Sequence, residues 1–147
     1  MDKRSWLKIA AALSFFMAAV QTFLSLSVPA AAYFRAPPPL LENPLRLFLV
    51  GEAAALVLVV FALYALSGAG TIRRLPLLRV ALIGISTLYL LRGLFLILNV
   101  MIAFGLLEGT VLLQGVISDL VFLTAGIAYA VGTALNWSEL AVAPVSA

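Results

Sequence analysis

Four apolar stretches of helical length, separated by short polar connections, constrain this chain more than any motif does. The third, residues 79–104, is the most telling, because one full charge, Arg92, stands near its middle. A guanidinium cannot shed its proton to escape hydrocarbon. Arg92 therefore demands a carboxylate, a carbonyl or a water-filled cleft beside it. The other apolar stretches each carry a polar group at a similar depth.

Composition agrees with that pattern. The chain has 147 residues, 65% of them hydrophobic and 10% charged, with a mean hydropathy of +1.19, whereas a soluble domain carries about 25% charged residues. The fold class expected is all-α: a polytopic integral membrane protein, a single four-helix transmembrane bundle, with little length left for an extramembrane domain. The net charge of +3 sits mostly in two short segments. Topology and lipid headgroups account for it, so no nucleic-acid partner is expected. There is no Cys, which excludes thiol redox chemistry, quinone-linked disulfide formation and structural disulfides, and no His, the usual haem ligand and commonest zinc or copper ligand. No cofactor and no metal are expected.

In chain order, helices are expected over about residues 6–28, 45–67, 77–103 and 110–135. Basic Lys3, Arg4 and Lys8, then an apolar run and Ala30-Ala31-Ala32, resemble a secretory signal peptide with a small-residue cleavage site. The run is longer than the usual signal core of about 7–15 residues and contains Gln21, Thr22 and Ser25, so it reads as a retained first helix. An outer loop, residues 29–44, follows. Pro37-Pro38-Pro39 is expected to stiffen it toward polyproline II as a rigid cap, with Tyr33 and Phe34 at headgroup level. Ser67-Gly68-Ala69-Gly70 reads as a glycine stop to the second helix. The basic turn, residues 68–76, places Pro76 in the first turn of the next helix. Trp137 marks the exit, and Tyr64 and Tyr129 read as belt aromatics near the inner interface. The tail ending in Pro144-Val145-Ser146-Ala147 is expected to fray.

Orientation follows from the basic residues. Lys3, Arg4, Lys8, Arg73, Arg74 and Arg79 fall on one side, and Arg35 and Arg46 on the other. The positive-inside rule then puts the N-terminus and the C-terminus in the cytoplasm, with Arg73, Arg74 and Arg79 facing anionic lipid headgroups. Cleavage of the first helix would leave that orientation unchanged.

The candidate site is a polar layer. At about 1.5 Å per residue, Gln21, Glu52, Arg92 and Asp119 lie roughly 10–16 Å below the outer ends of their helices. Tyr89, Arg92 and Asn99 share one side of the third helix, and Gly115, Ser118, Asp119, Phe122 and Gly126 share one side of the fourth. Ser14, Met17, Ala18, Gln21 and Ser25 make a mild polar stripe on the first. Each mid-membrane charge costs about 2.5–3.5 kcal/mol on insertion scales unless paired or wet. Arg92 neutralises one carboxylate and leaves Glu52 or Asp119 over. The cluster of Glu52, Arg92, Asp119, Gln21, Tyr89 and Asn99 thus reads either as a ligand or proton site open to the outer face, or as an ion pair that fixes helix packing. Snorkelling charges or an oligomer interface are a third possibility. Glu52 with Asp119 as a catalytic acid/base pair finds no nucleophile or metal motif to support it, so an enzyme is not expected.

The segments LYALSGAG at 63–70, RRLPLLR at 73–79 and YLLRG at 89–93 resemble a family of small, uncharacterised bacterial inner-membrane proteins with four predicted helices. That resemblance implies a multi-pass inner-membrane location and carries over no functional residues. In helix count and size the layout is also similar to the DoxX-type membrane proteins. Small multidrug transporters share four helices and one membrane glutamate, but theirs is in the first helix, where this chain has Gln21. The function expected is non-enzymatic: binding or conducting a small molecule or proton from the outer face, the ligand itself open. The alternative is an assembly subunit, with a second copy or another membrane protein as partner.

Overall fold

A computed structural model describes residues 2–140, all helix and connection with no strand among them; the expected frayed tail lies outside the described residues. The elements are α1 (Ser5–Leu26), α2 (Val28–Tyr33), α3 (Pro38–Leu41), α4 (Pro44–Gly68), α5 (Leu78–Gly93), α6 (Phe95–Ala103), α7 (Leu113–Leu135) and α8 (Trp137–Leu140). Four helical stretches are long and apolar enough to cross a membrane: α1, α4, the combined Leu78–Ala103 and α7.

The boundaries differ from the sequence expectation where local chemistry intervenes. The first span stops at Leu26. Pro29 has no N–H to continue the ladder, and Ser27 turns extended to cap α2, its Oγ accepting from the Ala30 N–H at 3.4 Å. The loop between α1 and α4 is not a polyproline rod. Only Pro37 adopts that conformation (φ −56°, ψ 139°), while Pro38 and Pro39 open the short α3, because the first helical positions need no N–H donor. Pro76 falls outside the next helix: Leu77, left-handed at φ 53°, is the residue preceding α5. The third span is interrupted at Leu94, and α7 begins only at Leu113, after Leu112 runs extended.

The glycine stop does occur. Gly70 takes φ 73°, the Thr71 N–H reaches Leu66 O at 3.0 Å and the Gly70 N–H reaches Ser67 O at 3.1 Å, closing off α4.

The spans pack most closely as two pairs, α1 with α4 and α5 with α7, joined chiefly through α1 and α7. Small residues make this possible in a solvent that gives apolar faces no reason to associate. A Cβ on Gly93 would stand 2.7 Å from Leu123 Cα, and one on Gly126 would stand 2.9 Å from the Leu90 nitrogen. On the other pair, a Cβ on Gly51 would overlap Ser25 Cβ. Alanines (Ala10, Ala11, Ala62, Ala65, Ala125, Ala128) fill much of the buried seam with Leu7, Leu82 and Tyr129, while large apolar side chains such as Leu26, Leu56 and Phe23 point outward.

Candidate functional site

The polar residues of the spans divide into three centres rather than one. The first joins α5 and α6 to α7. Arg92 Nη1 forms an ion pair with Asp119 Oδ1, and Asn99 Nδ2 donates to Asp119 Oδ2 at 2.8 Å, so both carboxylate oxygens are engaged. The Asp119 side chain is 3% exposed and that of Arg92 43%. The guanidinium carbon sits 5.0 Å from the Phe122 ring centroid and 5.4 Å from that of Phe95, within cation–π range.

The second centre joins α1 to α4 and contains Glu52. Ser25 Oγ lies 2.6 Å from Glu52 Oε1 and Thr22 Oγ1 3.5 Å from Oε2. Among the described residues Glu52 forms no ion pair. Ser25 Oγ also lies 2.7 Å from the Thr22 carbonyl, so a single hydroxyl hydrogen faces two acceptors when the carboxyl is ionised. Gly51 makes this contact possible by letting α1 approach, and Gln21 Nε2 packs over the same glycine.

The third centre is a chain of hydroxyls. Tyr89 OH and Tyr129 OH each lie 2.9 Å from Ser14 Oγ, and Tyr129 OH donates to Phe61 O at 2.8 Å. That last bond fixes the polarity: Tyr89 donates to Ser14, Ser14 to Tyr129, and Tyr129 to the carbonyl. The bonds run from α5 through α1 and α7 to α4, touching every span. Tyr89 and Tyr129 stack at 5.3 Å and 15°, with the Phe61 and Phe122 rings 5.8 and 5.6 Å from Tyr89.

Each residue singled out in the sequence therefore has a defined place. Arg92, Asp119 and Asn99 come together; Tyr89 belongs to the hydroxyl chain; Glu52 stands on the α1–α4 side with Thr22 and Ser25. Tyr129 is not a belt aromatic but fully buried, completing the chain with Ser14. The signal was present, since Tyr129 extends the Gly115–Ser118–Asp119–Phe122–Gly126 stripe by one further helical step.

Gln21 bonds to none of the described residues and instead lines two cavities of about 230 Å³ each. One lies beneath α2 and α3, between Pro37 and Leu40 of this cap and Leu47, Val50 and Gly51 of α4. The other lies between α1 and α7. Leu24 and Phe34 are also common to both walls.

The basic residues gather at the opposite end. Glu139 pairs with Lys3 and with Arg4, the latter at 3.0 Å, and these cations hold its carboxyl below the ordinary glutamate range. Arg74 donates to Glu139 O at 2.8 Å and Arg79 to Trp137 O at 2.6 Å, the Arg79 guanidinium lying 4.3 Å from the Trp137 ring centroid. The Arg73 side chain is exposed, while its carbonyl accepts from Ser67 Oγ.

No group of three or more metal-ligating side chains occurs among the described residues. Comparison with protein-family models, with curated proteins and with solved structures finds no match.

Proposed function

We propose that this chain is a non-enzymatic, multi-pass protein of a bacterial inner membrane, both termini cytoplasmic, whose outer half binds or conducts a small molecule or proton beside Glu52. The observation that carries this is the contrast in partners: Asp119 has a cation and an amide, whereas Glu52 has two hydroxyls, and the residue before it, Gly51, lines the cap cavity. Ser25 has one hydroxyl hydrogen for two acceptors, Glu52 Oε1 and the Thr22 carbonyl, so the Glu52 carboxyl keeps acceptor capacity that a ligand or solvent donor would satisfy.

The test uses the absence of native cysteine. Leu47→Cys, in the wall of the cap cavity, should react with a membrane-impermeant thiol reagent in right-side-out vesicles and resist it in inverted ones. Ala125→Cys, in the 0% exposed core, should react in neither. An unreactive Leu47→Cys from the outside overturns the outward site, and reaction only in inverted vesicles overturns the orientation.

A second reading, an assembly subunit, is favoured by one observation. Arg92 presents five N–H donors on a 43% exposed side chain and gives only one to an acceptor among the described residues. A second copy or another membrane protein would supply the missing acceptors. At the cytoplasmic end, anionic lipid headgroups are the partner proposed for Arg73, Arg74 and Arg79.

A further inference from the structure

The outer cavities have walls specific enough to name a class of ligand, an inference that rests on reading them as a ligand site. No charged side chain lines either. The groove between α1 and α7 is walled by Phe16, Met17, Val20, Ile117, Val121 and Phe122, with Ser118 and Gln21 its polar members. Phe16, 57% exposed, and Ile117, 53% exposed, form a rim that faces the bilayer rather than the outer water. Phe34 of the cap lines it from the direction of the outer surface.

Three physical constraints then select the occupant. Gln21, half-buried and bonded to none of the described residues, lines both cavities and offers both a carbonyl acceptor and an NH₂ donor, which suits a head that both donates and accepts. A charged head would enter apolar walls with no countercharge. Each cavity, at about 230 Å³, is smaller than the roughly 300–1,000 Å³ of typical small-molecule sites, and the two share Gln21, Leu24 and Phe34 as a common wall. One chain fits; a two-chain phospholipid does not.

We infer that the α1–α7 groove takes the hydrocarbon chain of a neutral single-chain amphiphile, of the alkyl alcohol or alkyl amide class, entering sideways from the outer half of the bilayer with its head hydrogen-bonded to Gln21. The cap cavity is the wet side of the same site, through which the head meets water.

The probe is 1-octanol bearing a diazirine at its chain end, photolysed with the full-length protein in nanodiscs and mapped by peptide mass spectrometry. Crosslinks should concentrate on residues 16–24 and 117–122. A diazirine octane lacking the hydroxyl should label them at least fivefold less, and Gln21→Leu should erase that difference. Val121→Trp, which fills the groove, should remove labelling by both, and excess octylammonium or octanoate should not compete. Crosslinks spread evenly over exposed Leu88, Leu91 and Ile97, a preference for the alcohol that survives Gln21→Leu, or competition by either charged amphiphile would overturn the inference. Loss of groove labelling with Leu47→Cys still reactive from outside refutes the chain site alone. An unreactive Leu47→Cys with groove labelling intact refutes the aqueous site instead.

Discussion

Asp119 and Glu52 are carboxylates at comparable depth on different spans, and their surroundings are opposite. Asp119 is 3% exposed, bonded to Arg92 and Asn99, and pins α7 against α5 and α6. Glu52 is half-buried and, among the described residues, bonds to Ser25 and Thr22 alone, while its neighbour Gly51 lines the cap cavity. The lesson is that a charge in a bundle is read from its partners. A carboxylate whose lone pairs go to a guanidinium and an amide is committed to packing. One whose contacts are hydroxyls has no countercharge to lose, and keeps lone pairs for a ligand or solvent donor.

The largest test of that difference removes Asp119. Asp119→Ala strands Arg92 in the bilayer and should lower unfolding free energy in a detergent-denaturant titration by about 3–5 kcal/mol, the cost typical of breaking a buried pair. Arg92→Gln with Asp119→Asn should recover most of the loss, because nothing charged is left behind. If the double variant is as unstable as the single, the pair is not the packing clamp described above.

A smaller effect is expected at the hydroxyl chain. Ser14→Ala leaves Tyr89 without its acceptor and Tyr129 without its donor, and should cost about 1–2 kcal/mol, between the average membrane hydrogen bond of about 0.6 kcal/mol and the penalty for an unpaired buried polar group. No loss on the same titration would mean that water replaces the serine and that the chain does not tie the spans together.

The smallest effect lies outside the bilayer. Lys3 and Arg4 lower the Glu139 carboxyl below its ordinary value of 4.5. A depressed folded-state value means that its contribution is present above that pH and fades as acid protonates the carboxylate. Melting curves of wild type and Glu139→Gln should therefore differ slightly at neutral pH and converge below it. Exposure to solvent keeps the difference small. Parallel curves at every pH would remove Glu139 from the account of how the two ends of the chain are joined.

Four spans were legible in the sequence because length and hydropathy alone define them. The partition of their polar groups was not. Depth places Gln21, Glu52, Arg92 and Asp119 in one layer, but azimuth decides which of them meet, and that depends on which helices neighbour each other. Tyr89 and Arg92 stand on one broad side of α5, yet three residues of rotation send one to Ser14 in the core and the other to Asp119 at the α7 seam. Close glycine contacts set those neighbours, and their matching, Gly51 to Ser25 or Gly93 to Leu123, is a property of two helices at once. The cap between α1 and α4 escapes the sequence for a local reason: three prolines in a row read as a rod, whereas two of them open a helical turn.

The most direct measurement is the unfolding free energy of Glu52→Gln beside that of Asp119→Asn in one detergent-denaturant titration. Glu52→Gln, whose amide still meets Ser25 and Thr22, is predicted to cost less than about 1 kcal/mol, and Asp119→Asn, which leaves Arg92 without its countercharge, several times more. Equal losses, or a larger loss at Glu52, would contradict the assignment of Asp119 as the packing clamp and Glu52 as the group left open to a ligand.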